Sequence, residues 1–267
     1  MNLYEPIPQR KSTRSYLEEA LGPTILKKIE GKIEKINLLN DRSLYVIIKD
    51  GNAVVENIKG IIGNYGKIKA PHYIVLCSRE DEESLLNLGF VGERLVLFLT
   101  REEIGSCWIG KFGNKRKIKN KIEIDSKFIP QALIAFGNTA DDPLRKKTPK
   151  RKELSDLIIK GEPDSLLRDI LGAIRLAPSA VNLQPWRFGI VKDSGVIIHL
   201  NKKGIVKKVF DKVGDLKRLN YIDMGIALRH AEIASNELAK SCKIEDLDGT
   251  QAKIKGYDPI KKLSIDR

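Results

Sequence analysis

An order of short segments that occurs twice along the chain constrains its fold more than any other feature. The run Tyr45-Val46-Ile47-Ile48-Lys49-Asp50 has a counterpart in Phe188-Gly189-Ile190-Val191-Lys192-Asp193. Further along, Asn87-Leu88-Gly89 corresponds to Asp223-Met224-Gly225, and the helical segment at each glycine ends in a Ser-Cys pair, Ser106-Cys107 in one half and Ser241-Cys242 in the other. Each match is short, but their shared order points to an internal duplication with halves of residues 1–160 and 161–267. Each half must then bury a core of its own.

The local patterns mix helix and strand. Leu17, Leu21, Ile25, Leu26, Ile29, Ile33 and Ile36 recur at three and four residues, which predicts two amphipathic helices broken at Gly22-Pro23. Residues 44–48 and 73–77 are β-branched runs bounded by turn signals and read as strands, the second mostly buried. Residues 85–103 predict a buried central helix whose Gly89 and Gly92 cost helix propensity and so imply close packing against another backbone. A further buried strand is expected over residues 129–136, followed by a polar, basic surface loop over 137–151. In the second half a helix over 165–176, capped by Asp164 or Ser165, stops at Ala177-Pro178, and a strand covers 188–191.

Composition narrows the function. Lysine and arginine exceed aspartate and glutamate by 48 to 35, a net charge of +13, so a negatively charged ligand or partner is expected. Three scattered cysteines make neither a disulfide framework nor a metal-spaced pair, which fits a reducing cytoplasm. The longest apolar runs are about five residues, against the roughly 20 a bilayer helix needs, so a protein with no membrane association is expected. There is neither a dinucleotide-binding glycine fingerprint nor a P-loop. His230-Ala231-Glu232 lacks the cysteine pair a zinc deaminase requires and reads as helix surface, and structural roles are expected for His72 and His199.

Four segments could carry chemistry. In Arg10-Lys11-Ser12-Thr13-Arg14, the residues Arg10, Ser12 and Arg14 alternate, so in an extended segment they form a fork suited to phosphate. The plainer reading is a solvated basic segment in which Ser12 caps the first helix. Ala177-Pro178-Ser179-Ala180-Val181-Asn182-Leu183-Gln184-Pro185-Trp186 places Ser179, Asn182 and Gln184 between two prolines, a rigid loop able to present amide and hydroxyl groups to a polar heterocycle. Gly105-Ser106-Cys107-Trp108-Ile109-Gly110 ends the central helix with small residues and one aromatic, which lets backbone amides approach a planar ligand. The loop over 143–151 concentrates positive charge.

Together and in this order, the four segments resemble the nitroreductase-like FMN-binding family, in particular members with two halves fused in one chain. The resemblance spans most of the sequence. It implies an α+β nitroreductase-like fold arranged as a single-chain pseudo-dimer. In that family two subunits build each FMN site, one giving the Arg-Ser-Arg fork and the other the Pro-Ser-x-x-Asn loop. Here the first-half counterparts of Asn182, Gln184 and Trp186 are Leu39, Asp41 and Ser43, and the second half lacks the fork, so one FMN site is expected to be kept and the other lost. Carried over residue by residue, the resemblance implies that Arg10, Ser12 and Arg151 hold the FMN phosphate, with Arg14 near the ribityl chain or pyrimidine edge. Pro178, Ser179, Ala180 and Asn182 line the ring, backbone amides around Trp108, Ile109 and Gly110 face N5, and Gln184 and Lys11 are weaker transfers.

The implied activity is hydride transfer from NADH or NADPH, through FMN, to a nitro compound, quinone or similar small electrophile, with no side chain acting as nucleophile and no metal. The chain is expected to be a monomeric pseudo-dimer or a weak homo-oligomer. Two alternatives stay open: a non-catalytic flavin-binding protein with a degenerate second site, and nucleic-acid binding through residues 115–121 and 145–152, which no recognition motif supports.

Overall fold

The computed structural model describes residues 2–51, 54, 68–110, 115–122, 124–192, 195–202, 215–239, 241–249 and 254–266. The chain divides into two compact units, residues 3–148 and 149–267, Asn2 going with the second. The boundary falls earlier than residue 160 because residues 149–160 already belong to the second unit's sheet and loops. Asp193, in the second copy of the repeated strand end, lies outside the described residues.

The first unit contains α1 (Pro6–Gln9), α2 (Pro23–Glu34), β1 (Tyr45–Asp50), β2 (His72–Ser78), α3 (Glu82–Arg101), β3 (Gly105–Ile109), α4 (Lys115–Ile122) and β4 (Ile129–Gly137). Its sheet has the order β1-β2-β4-β3 and is antiparallel throughout. All of β2 is buried, as its unbroken apolar run predicts. Alternate residues serve opposite faces: Tyr73, Val75 and Cys77 join Cys107, Ile109, Leu133, Ala135, Ile118 and Phe128 in one core, while Leu76 points to α3. Helix α3 starts at Asp81, whose Oδ1 accepts the Ser84 N–H at 2.9 Å, and is buried along most of its length.

The second unit contains α5 (Leu154–Leu157), β5 (Ile158–Lys160), α6 (Ser165–Arg175), β6 (Trp186–Val191), β7 (Gly195–Asn201), α7 (Leu216–Leu238), β8 (Ser241–Glu245) and β9 (Tyr257–Asp266). Its sheet runs β5-β6-β7-β9-β8, with β5 parallel to β6 and every other pair antiparallel. Without β5, the order β6-β7-β9-β8 repeats β1-β2-β4-β3, and α7 follows β7 as α3 follows β2. Even an irregularity repeats. Pro130 faces Cys77 beside a bulge at Leu76/Cys77, and Pro259 faces His199 beside a bulge at Ile198/His199. A proline cannot donate to a ladder, so an inner strand tolerates it only at such a break. The duplication is therefore written into the topology, and the fold is α+β in two related units.

Three expectations need correction. Residues 14–22 are not helical: the amide of Leu17 bonds Asn138 O at 2.9 Å and that of Leu21 bonds His72 Nε2 at 2.9 Å, so tertiary partners claim the donors a helix would use. The two Ser-Cys pairs do not close the long helices but open strands β3 and β8, and both helices run through their matched glycines. His230 is fully buried, with Nδ1 at 3.0 Å from Ala173 O, because α7 is covered on nearly every side. The structural roles expected for His72 and His199 match their burial: His72 accepts the Leu21 amide and stacks on Phe136 at 5.3 Å.

Candidate functional site

In the first unit the basic segment is extended, and it is not a solvated arm. Ser12 bridges to Ser106 on the outer edge of β3, and the Thr13 amide bonds Ser106 O at 2.8 Å. The Tyr16 hydroxyl lies 2.7 Å from Thr13 O and 3.1 Å from Ala135 O. Ser12 is therefore not a helix cap. The fork expected of Arg10, Ser12 and Arg14 is not formed as one face: Arg10 is only 3% exposed and Thr13 is buried as well, while Arg14 is exposed.

A buried guanidinium is costly unless paired. The Arg10 Nε lies 3.8 Å from Glu93 Oε1, and Glu93, fully buried on α3, also accepts the Trp108 indole N–H on Oε2 at 2.8 Å. The 3.8 Å contact is an ion pair too long for a hydrogen bond, and Arg10 Nε has none. Burial holds the Arg10 pKa below its ordinary value while Glu93 opposes the shift. A second guanidinium stands close by: the Arg145 amide bonds Gln9 O at 2.7 Å, and burial together with the charge of Arg10 lowers the Arg145 pKa to about 10. Lys11 donates to Asp142 O and ties the same loop to the segment. Two arginines against one carboxylate leave a local excess of positive charge, and an orphaned donor stands beside it. That suits an oxyanion such as a phosphate.

Trp108, Ile109 and Gly110 lie on and just after β3 and not at a helix end. Trp108 packs its ring against Gly92: a Cβ built there would lie 2.2 Å from Trp108 Cη2 and 2.8 Å from Leu76 Cδ1. The close approach of another backbone expected at the helix glycines is not what Gly92 meets: its near neighbours are the side chains of Trp108 and Leu76.

In the second unit, Pro178, Ser179, Ala180, Asn182 and Gln184 form one rigid loop with a turn of 3₁₀-helix at Ala180–Asn182. Val181, Asn182 and Gln184 have φ of 46°, 57° and 51°, a left-handed conformation that costs a β-branched residue such as Val181 most. Side chains hold it. Asp223 on α7 accepts the Ala180 N–H at 3.1 and 3.0 Å, and Ser179 Oγ accepts the Gln184 N–H at 2.9 Å. The buried Gln184 accepts the Lys152 N–H on Oε1 at 2.9 Å. Arg151 donates to Asn182 Oδ1 at 2.9 Å and to Leu176 O at 3.2 Å, and Asn182 Nδ2 returns a bond to Lys150 O at 3.2 Å. Lys152 Nζ caps Leu183 O at 2.8 Å, and Arg187 donates to Gln184 O at 3.0 Å. Charged donors thus satisfy the carbonyls of a strained turn. Trp186 opens β6 as a fully buried core residue.

Within the first unit, then, Arg10, Lys11 and Ser12 gather beside β3 and Trp108. Within the second, Arg151 gathers with the proline-bracketed loop. Sequence reasoning missed Glu93, Arg145 and Asp223. Their signals were present: a carboxylate inside the apolar stretch of α3, one arginine in a loop read only as a mass of charge, and the aspartate of a matched tripeptide. Among the described residues no cluster of histidine, cysteine and carboxylate suits a metal, and no helix is long and apolar enough to cross a membrane.

A family model described as "Putative TM nitroreductase" matches residues 2–235. Among solved structures, a putative nitroreductase from Thermotoga maritima is 22% identical over 99% of this chain and 93% of that one, with a TM-score of 0.64. A nitroreductase family protein from Clostridium novyi NT is 24% identical, covering 55% of this chain and 89% of its own, with a TM-score of 0.46. The NfrA1 nitroreductase of B. subtilis is 16% identical, covering 58% and 72%, with a TM-score of 0.48. A search of curated proteins finds no match.

Proposed function

The chain belongs to the family described as Putative TM nitroreductase, and on that premise we propose that it binds FMN and uses it to pass hydride from NADH or NADPH to a small electrophile such as a nitro compound or quinone. The observation that carries the proposal is the Arg10 guanidinium, buried with an Nε that makes no hydrogen bond and with Arg145 in its field, a cradle that a phosphate group would complete. The residues fit FMN in charge and in donor type. Arg10, Ser12 and Arg145 would hold its phosphate, with Arg14 and Lys11 toward the ribityl chain. Within the first unit the amides about Trp108, Ile109 and Gly110 would face the ring; within the second, Pro178, Ser179, Ala180, Asn182 and Gln184 are the residues the family resemblance assigns to the ring, and Arg151, which it assigns to the phosphate, is engaged by Asn182.

Once bound, FMN supplies the hydride chemistry, so the protein's task is binding, orientation and exclusion of water. No side chain need act as a nucleophile. The loop contributes preorganisation: internal bonds from the Ala180 amide to Asp223 and from Arg151 to Asn182 fix its backbone before a ligand arrives, which saves ordering cost on binding. The acceptor's identity is not set by fold or cofactor.

The test is the visible spectrum of purified protein titrated with FMN, read with stoichiometry and mass in solution. One FMN per chain, bleached by NADH or NADPH under anaerobic conditions, is expected. Arg14→Ala and Asn182→Ala should each weaken FMN binding about tenfold or more. Absence of binding overturns the proposal, and binding without reduction favours a flavin-binding protein without turnover.

A further inference from the structure

We infer that Glu93 is a positioning residue, holding the Arg10 guanidinium and the Trp108 indole in one arrangement so that Arg10 meets a phosphate with its charge already in place. The inference rests on the FMN reading and deepens it. Glu93 is fully buried in α3, in a stretch that is otherwise apolar apart from Arg94. Its two oxygens divide their work: Oε2 takes the Trp108 N–H at 2.8 Å, and Oε1 lies 3.8 Å from Arg10 Nε. A carboxylate in such a place is unfavourable by itself and needs a cation, while a buried Arg10 needs an anion when no ligand is bound. The distance matters as well. At 3.8 Å Glu93 compensates the charge without consuming the Nε donor, which stays without a hydrogen bond.

The duplicated unit supplies an internal control. Matching Asn87-Leu88-Gly89 to Asp223-Met224-Gly225 sets Glu93 against Arg229. The second unit has no Arg-x-Ser-x-Arg segment, and its helix carries an arginine at the matched position. Arg229 is fully buried and pairs with Glu232 on its own helix. The acid stands where there is a fork arginine to hold and is replaced where there is none. If Glu93 served only to cap the Trp108 indole, a neutral acceptor would suffice.

The experiment compares FMN with riboflavin, which lacks the phosphate, by titration of the wild type, Glu93→Gln, Arg10→Gln and the double variant. Glutamine keeps an acceptor for the Trp108 N–H and removes the charge. The wild type should prefer FMN, Glu93→Gln should lower that preference about tenfold or more, and the Glu93 effect should vanish in the Arg10→Gln background. The double variant removes both buried charges, so it covers the case in which Glu93→Gln leaves Arg10 uncompensated and misfolds: it should then fold and bind FMN and riboflavin alike. Loss of FMN and riboflavin binding in equal measure in Glu93→Gln, or the same loss with and without Arg10, would overturn the inference. A wild type that binds neither flavin would instead overturn the FMN reading.

Discussion

Gly92→Ala and Gly172→Ala are the same chemical change in the interior of two helices, and the structure predicts opposite signs. Alanine is favoured over glycine by about 1 kcal/mol in a helix interior. At Gly172, in α6, nothing lies within 4 Å of an added Cβ, so most of that gain should appear as stability. At Gly92 the Cβ would sit 2.2 Å from Trp108 Cη2, well inside contact distance, and 2.8 Å from Leu76 Cδ1. The indole must move by more than 1 Å to reach ordinary contact, and its Nε1 is held by the 2.8 Å bond to Glu93. Overpacking costs roughly 1–3 kcal/mol and loss of a hydrogen bond to a charged group about 1.5–3 kcal/mol. Set against the helix gain, Gly92→Ala should destabilise the first unit by about 1.5–5 kcal/mol, and Gly172→Ala should stabilise the second by up to about 1 kcal/mol. Urea unfolding followed by circular dichroism reads both from the shift in midpoint. A Gly92→Ala protein as stable as the wild type would refute the claim that Trp108 is pinned.

Further expectations concern pH and the loop braces. Burial lowers the pKa of His72 and of His199. The unfolded chain, with ordinary values near 6.5, then binds protons that the folded chain resists, so both residues contribute stability that is lost as pH falls below about 6.5. Thermal midpoints measured from pH 7.5 to 5 should fall less in His72→Gln than in the wild type, and an unchanged slope would count against the argument. Asn87 accepts the Leu39 N–H at 2.8 Å and donates to Arg42 O at 2.7 Å, whereas Asp223 meets the Ala180 N–H. Asn87→Asp should therefore cost about 2–4 kcal/mol by setting a carboxylate against a carbonyl, and Asp223→Asn, which keeps an acceptor, should cost less. Urea midpoints in the reverse order would show the braces to be misassigned.

Much of the frame was legible because burial writes periodic patterns. β2 carries an unbroken apolar run over 73–77 and β4 one over 132–136, α3 is apolar-periodic, and α6 begins at its Asp164 cap, which accepts the Leu167 N–H at 2.9 Å. What failed did so where tertiary partners override local preference. The apolar spacing of Leu17 and Leu21 continues that of α2, but their amides bond Asn138 and His72, and no pattern in the segment reports that. Gly-Ser-Cys-Trp-Ile was read as the end of a helix because it follows one, although its Cys-Trp-Ile has the composition of a strand. β9 hides behind Pro259 and two lysines, one of which, Lys261, is buried and paired with Asp246. For the site, the residue types that could meet a ligand were visible, and those that hold them were not. Glu93 and Asp223 matter through where α3 and α7 place them, and spacing along the chain does not give that.

The two units separate what a frame requires from what a site requires. Both keep a proline at a bulge in the strand that ends the matched set, which bends that strand without an unmet donor. Both use the same helix position, Asn87 or Asp223, to fix the backbone ahead of the first matched strand. These positions serve packing and backbone satisfaction, which any sequence in this fold must solve. The differences fall elsewhere: Glu93 against Arg229, the strained Ser179–Gln184 loop against a segment with Leu39 and Asp41, and the Arg10 fork in one unit alone. A buried carboxylate is tolerable only beside a cation, and three residues of positive φ only where side chains enforce them. Such costs make no sense as fold maintenance, since the other unit folds without them. Under the proposed function, they are the residues through which each unit would meet a ligand.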